Sequence, residues 1–513
     1  MLGTYLLHGG GSLLQNLTAA RLSQRVVRRM RGELFQKVVN LPVKYLDNHP
    51  HGDIMSRMTN DVENLSNIIS QSLSSLASGL LTIAGTVGMM FWYCWQLALL
   101  SCATVILSLV ITRIISKVMR RLSRERQRLL GELNGLVEEK VAAYRTVTAY
   151  NRQSAAVREF EETSDRLCLT GSLANAIGGS MGPIMNCVGN IAFVIIAAFG
   201  GYFAINGMIS VGVISAFIVY AKQFSRPVNE LANLYAEIQT AIAGAERVYA
   251  VLDEPSEDKS GERTMDTAQG TVTFRNVDFS YYKGRQVLYG FDLEVRAGQK
   301  VALVGATGSG KTTVVNLLMR FYDIDSGEIL IDGVNIRDIA SGALRRSTAI
   351  VLQDTVLFSG TIRENLTYSN PDASEEDLDH AARMSACAGL IARLPQGYDT
   401  PLTEGGGNLS QGERQLLSIC RAFLASPKIL ILDEATSSVD TRTEKNIQDA
   451  MVNLMKNRTS LIIAHRLSTI QDADLIVVMD QGRIVETGKH GELLSRKGRY
   501  YDLYMTQFAG NQI

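Results

Sequence analysis

The stretch "KVALVGATGSGKTTVVNLL" (residues 300–318) decides the fold of the C-terminal half. It reads as a strand, a glycine-rich loop and a helix, and it fits G-x-x-x-x-G-K-[ST] at Gly305, Gly310, Lys311 and Thr312. Glycines let backbone N–H groups close around phosphates, and the helix that follows adds the positive end of its dipole. Ala306, Thr307, Gly308 and Ser309 fill the loop, with Thr313 just behind it. Lys311 places a cation against the outer phosphates, and Thr312 offers a hydroxyl to Mg²⁺.

Working outward, "KILILDEATSSVD" (428–440) supplies a partner for that loop. Ile429 to Leu432 make a buried parallel strand, and Asp433 emerges at its end toward the metal. Glu434 follows directly, where a carboxylate accepts a proton from, or orients, an attacking water. Gln353 ends the apolar run in "AIVLQDTVLF", within reach of Mg²⁺ or the water, and His465 ends the one in "TSLIIAHRLST", within reach of the γ-phosphate. A lone Gln or His at a strand end is most often structural; these two gain meaning from the glycine loop. Tyr281 in "VDFSYYKGRQVL" is the candidate to stack on adenine, with its neighbour Tyr282 as a rival. A second serine-and-glycine turn, "NLSQGERQ" (408–415), heads another helical run, and its Ser hydroxyl and free N–H groups make a second anion receptor.

The N-terminal half has another character. The 51 basic and 51 acidic residues balance, so the net charge points to no polyanionic partner and no nucleic acid is expected. Their distribution is uneven: no Asp, Glu, Lys or Arg occurs from Asn64 to Thr112 or from Leu167 to Ala221. A helix crosses a bilayer with roughly 20 apolar residues, so each stretch holds two spans. They are expected near 66–90, 97–117, 174–204 and 209–231, with an imperfect fifth in the first twenty residues, where "HGGG" (8–11) weakens the pattern. Core helices of soluble domains rarely stay uncharged for so long. The aromatic cluster "FWYCWQ" (91–96) suits a membrane interface, and the basic run 113–128 marks the cytoplasmic side. Residues 118–166, far more polar, read as long helices projecting into the cytoplasm. Five spans with a cytoplasmic C-terminal half place Met1 outside, unless a span lies upstream or the first segment does not cross. The six cysteines show no paired spacing, which suggests neither a zinc site nor a disulfide framework; they read as small apolar fillers.

Taken together, the C-terminal motifs resemble the ATP-binding cassette (ABC) family. In order they are an aromatic before the glycine loop, Walker A, a Q-loop, "LSQGE" (409–413), Walker B with its Glu, "SSVD" (437–440) and a His switch. "LSQGE" is similar to the family's LSGGQ and departs from it at Gln411 and Glu413. The resemblance implies that Ser410 and Gly412, flanked by Gln411 and Glu413, bind ATP held by the glycine loop of an opposing copy, with Asp440 nearby. It makes Glu434, His465 and Gln353 catalytic, and Thr312, Gln353 and Asp433 the Mg²⁺ ligands. "YLDNHPHGDIMSRMTNDVENL" (45–65) and "EEKVAAYRTVTAYNRQ" (138–153) look like the exporter type's two intracellular loops, each presenting a short coupling helix; Ala143-Tyr144 stands where a Gly is common. Exporters of this type carry six spans, so the resemblance implies that the five expected here lack the first. The implied fold is a membrane α-helical bundle (1–241), a linker (242–271) and an α/β P-loop ATP-binding cassette (272–506). The implied activity is ATP hydrolysis driving export of a small or amphipathic substrate across the cytoplasmic membrane. Its partners are a second half-transporter, identical or not, the lipid bilayer and the transported substrate. The alternative is a membrane-anchored ATPase that regulates or tethers without transport. Asn175, Asn186, Asn190, Met181 and Met185 are candidates to line a membrane cavity, with Gly182-Pro183 bending the helix; for most of them packing and hydrogen bonds between helices are the commoner role.

Overall fold

The computed structural model of the chain describes residues 2–258, 261–265, 269–353, 355–433, 441–464 and 470–507. The chain divides into two units, Met1–Val38 with Gly52–Glu254, and Val39–His51 with Pro255–Ile513.

The first unit is helical: Leu2–Val39, Leu73–Tyr93, Trp95–Ala142, Gln153–Ile205 and Val211–Leu252 are its main elements. The first helix runs through "HGGG" unbroken and stops before Pro42, whose missing N–H and fixed φ of −63° start a new short helix, Val43–Asn48. Among the described residues, two helices are long and apolar enough to cross a membrane, Trp95–Ala142 and Gln153–Ile205, against five expected spans; Val211–Ala221 is a shorter apolar run. Each long helix continues from its apolar part into charged residues. At ~1.5 Å per residue both exceed the roughly 30 Å hydrocarbon core more than twofold, which gives the expected projections without a separate element. Gln153–Ile205 also continues through Pro183. The turns fall at Cys94 and at Asn206–Ser210, where Gly207 has φ +70°.

Met90, Cys94, Leu97 and Ala98 pack with Ile196 and Phe217 into a small core near the first turn, while Trp92 stays 86% exposed. Arg247 grips the buried Asp61 carboxylate through Nε (2.8 Å) and Nη2 (2.5 Å). Ala143 has φ −90°, so this corner does not require glycine, and the short helix Tyr144–Ala149 beside it buries none of its residues. The last helix runs to Leu252, into the segment expected as linker (242–271), because Val248 and Val251 are still buried. Of the cysteines, Cys94, Cys387 and Cys420 are buried fillers, Cys102 is intermediate, and Cys168 and Cys187 are exposed, contrary to the uniform reading.

The second unit has a six-stranded sheet in the order 483–488, 475–480, 300–304, 459–463, 429–433, 348–351. All its pairs are parallel except that of the edge strand Arg483–Gly488. Both faces are covered, which explains the unbroken apolar runs. Ala302, Val304, Leu430, Leu432 and Ile462 enter one core with the helices; Val301, Leu303, Ile429, Ile431 and Leu461 enter the other. That second core is shared with an antiparallel sheet built on Val272–Tyr282 and Arg285–Val295. The chain after Pro255 is strapped to this unit: Glu257 pairs with Arg345, and Asp258 with Arg320 at 3.0 Å. The helix Val43–Asn48 is bonded within the same unit, Asp47 accepting from the Tyr322 hydroxyl and Asn48 from that of Tyr282 at 3.0 Å.

Candidate active site

Parallel strands end together, and their carboxyl edge is where ligands bind in open α/β sheets. Here Leu303 pairs with Ile463, and Ile463 with Asp433, so the glycine loop and Asp433 start from one level with a single strand between them. Gly310 caps the helix Lys311–Leu318 at φ +103°, and a Cβ there would stand 2.9 Å from Leu288. A Cβ on Gly305 would run into the Met479 carbonyl. Only glycine fits either place.

The loop walls a cavity of about 500 Å³ lined by Thr307, Gly308, Gly310, Lys311, Thr312, Thr313, Gln353, Asp433, Ile463 and the hairpin residues Tyr281, Tyr282, Arg285 and Val287. Lys311 is 7% exposed, and its ammonium donates to the carbonyls of Gly305 (2.8 Å) and Ala306 (2.9 Å) and to the Ser309 hydroxyl (3.4 Å). Gly305, Ala306 and Ser309 thus stand behind the cavity and hold the lysine. Burial pushes the Lys311 pKa down, and the Asp433 carboxylate partly opposes the shift. Thr312 is exposed to the cavity, whereas Thr313 is buried and its hydroxyl bonds that of Tyr281 at 3.2 Å. A hydroxyl, an amide and a carboxylate (Thr312, Gln353, Asp433) therefore share one cavity. This all-oxygen set, with room for phosphate oxygens, fits Mg²⁺.

Both tyrosines line the cavity, in different states. The Tyr281 ring meets Phe279 and Tyr322 edge-on, each at 4.9 Å, and its hydroxyl also accepts from Asn316 at 3.3 Å. Tyr282 is 64% exposed. Arg285, which sequence reasoning passed over, adds a cation to the wall; its only signal was its place in the turn "YYKGRQ".

Ser410, Gln411, Gly412 and Glu413 do not line this cavity. Ser410 and Gln411 are exposed and Gly412 is buried at the head of the helix Gln411–Ala425. Glu434, Asp440 and His465 lie outside the described residues. In the helical unit a second cavity, about 480 Å³, takes Met185, Asn186 and Asn190 of the expected five, with Thr104, Ser108 and Phe193 on its wall; Asn175 and Met181 are elsewhere.

Fold and site together define a P-loop ATPase unit in a chain that also holds a unit of long helices. The family descriptions "ABC transporter transmembrane region" and "ABC transporter" match residues 1–228 and 288–437. The chain is 44% identical over 490 residues to a fatty acid ABC transporter ATP-binding/permease protein of Mycobacterium bovis, covering 96% of this chain and 77% of that one. It is 38% identical over 511 residues to an ATP-dependent lipid A-core flippase of Syntrophus aciditrophicus, covering 99% and 85%. A solved bacterial Atm1-family ABC exporter with ATP bound superposes with a TM-score of 0.79 at 31% identity, covering 99% of this chain and 90% of that one. The chain belongs to the ABC transporters, as a fused membrane-and-cassette half-transporter of the exporter type, whose members act as dimers. It is an ATP-hydrolysing translocase.

Proposed function

We propose that two copies of the chain, or one copy and a related half-transporter, bind ATP between them and export an amphipathic, acyl-bearing substrate across the cytoplasmic membrane. Lys311 and the loop of one cassette hold the phosphates of ATP, and Ser410 with the N–H groups of its turn receives the γ-phosphate from the opposite cassette. Glu434 orients the attacking water, His465 and Asp440 meet the γ-phosphate side, and Gln353 and Thr312 sit with Asp433 where Mg²⁺ would bind. Bound Mg²⁺ would neutralise charge on the outer phosphates. Closing the two receptors on ATP turns the membrane cavity outward, and hydrolysis opens them again.

The observation that carries this reading is a separation. One cavity gathers Lys311, Thr312, Gln353 and Asp433, yet the exposed Ser410 hydroxyl is not on its wall. The names of the relatives, a fatty acid transporter and a lipid A-core flippase, support an acyl-bearing substrate. So does the helical-unit cavity, where Asn186, Asn190, Thr104 and Ser108 share the wall with Phe193 and Ile196.

Tagged mixed dimers test the shared site. With Lys311→Ala and Ser410→Ala on one chain and a wild-type partner, both sites are damaged and ATPase activity is lost. With the two substitutions on opposite chains, one site stays intact and activity persists. The reverse ranking would place each ATP within a single chain.

A further inference from the structure

Beyond its apolar part, the helix Trp95–Ala142 carries Arg113, Lys117, Arg120, Arg121, Arg124, Arg126 and Arg128. Successive helical residues turn by about 100°. All of these cations except Arg126 therefore fall within an arc of about 100°, and Arg126 points to roughly the opposite side. Arg128 is neutralised by Glu125 at 2.7 Å and Glu132 at 3.2 Å. The other five of the stripe are exposed, and among the described residues none pairs with a carboxylate. A bias toward cations on the cytoplasmic side is satisfied by any arrangement around the helix. Alignment on one open face asks for a directional partner.

Depth says what that partner is. From Trp95 to Thr112 the helix is free of charge and spans roughly 27 Å, close to the hydrocarbon thickness. Trp95, 58% exposed beside Trp92, marks the other boundary. Arg113 then enters the headgroup layer, and Lys117 to Arg124 follow within about 16 Å along the axis, close enough for long side chains to reach back. Arginine matches the oxygens of a phosphodiester in paired hydrogen bonds.

We propose that the face formed by Arg113, Lys117, Arg120, Arg121 and Arg124 binds anionic phospholipid headgroups of the cytoplasmic leaflet. Attraction to such a surface is worth roughly a fivefold preference per cation. The stripe holds anionic lipid against this helix in preference to zwitterionic lipid. The inference rests on Trp95–Thr112 crossing the membrane.

The test uses the full chain in phosphatidylcholine vesicles with and without phosphatidylglycerol, and measures association of spin-labelled phosphatidylglycerol against phosphatidylcholine. The wild type selects phosphatidylglycerol. The variant with Lys117, Arg120, Arg121 and Arg124 each changed to Gln loses at least roughly tenfold of that selectivity. Arg121→Gln alone loses roughly fivefold of it, whereas Arg126→Gln, the same single charge change on the far side, keeps it. Salt at ~1 M, where screening acts within about 3 Å, brings the wild type to the variant's level. Retained selectivity in the fourfold variant, or a loss in Arg126→Gln equal to that in Arg121→Gln, overturns the proposal. So does competition by inorganic phosphate that abolishes selectivity without screening by other salts, which marks a phosphate site, or dissociation of the fourfold variant into monomers, which marks a subunit contact. Release of the wild type by alkaline carbonate would instead remove the membrane placement beneath it.

Discussion

Ser410 and Glu413 hold each other at the head of the helix Gln411–Ala425. The Glu413 N–H donates to the Ser410 hydroxyl at 3.3 Å, and the Glu413 carboxylate accepts from the Ser410 N–H and hydroxyl, both at 2.9 Å. This reciprocal cap satisfies two helix-end donors. It also sets a carboxylate on the hydroxyl that the γ-phosphate is proposed to use.

Glutamine can form the same cap without the charge. Glu413→Gln is therefore expected to leave the melting temperature unchanged and to lower the ATP concentration at which cassettes pair. Ser410→Ala loses the cap, at about 1 kcal/mol, together with ATP-driven pairing. Light scattering with titrated ATP, in a hydrolysis-deficient background, reads both effects; a higher ATP requirement in Glu413→Gln would contradict the charge argument.

Glu434→Gln should abolish ATP turnover while ATP-bound dimers accumulate, since the amide fills the same volume but takes no proton from water. Phosphate release together with size-exclusion chromatography checks it. Full turnover in this variant would remove Glu434 from the role assigned to it.

Lys311 yields a pH dependence of known sign. Burial lowers its pKa from the ordinary 10.5, and the charged form is the one that binds phosphate. Affinity for ATP is therefore full on the acid side and declines as pH rises through the lowered value, before 10.5 is reached. Lys311→Met should bind roughly ten- to a hundredfold more weakly and lack that alkaline step. A fluorescent ATP analogue titrated across the range decides it; the same step in the Met variant would assign it to another group.

Tyr281 and Tyr282 can be separated by their surroundings. Tyr281→Phe keeps the ring and drops the hydroxyl bonds to Thr313 and Asn316, so stability falls by about 1 kcal/mol while ATP affinity holds. Tyr281→Ala loses affinity as well. If Tyr282→Ala alone weakens ATP binding, the exposed ring is the adenine platform.

Much of the site was legible because its chemistry is local. A glycine loop between a strand and a helix presents N–H groups by backbone geometry alone, and Asp433 follows an apolar run that can only be a buried strand. Helix lengths were less legible. Where an apolar span continues into a charged projection, composition changes but backbone periodicity does not, so Trp95–Ala142 read as two elements. Arg285 was not legible because its place depends on where a hairpin lies, and neither was the bond between the hydroxyls of Thr313 and Tyr281.

By itself the sequence determined what each segment can do: grip phosphate, carry a carboxylate at a strand end, cross an apolar layer, and spread cations beyond it. Those capacities depend on neighbours within a few residues. Only the tertiary structure decided which segments act together, by inserting Thr459–Ile463 between the loop strand and the Asp433 strand and bringing Gln353 to the same cavity. Strand order and register arise from packing two apolar cores on opposite faces of one sheet, and that is a property of distant residues meeting.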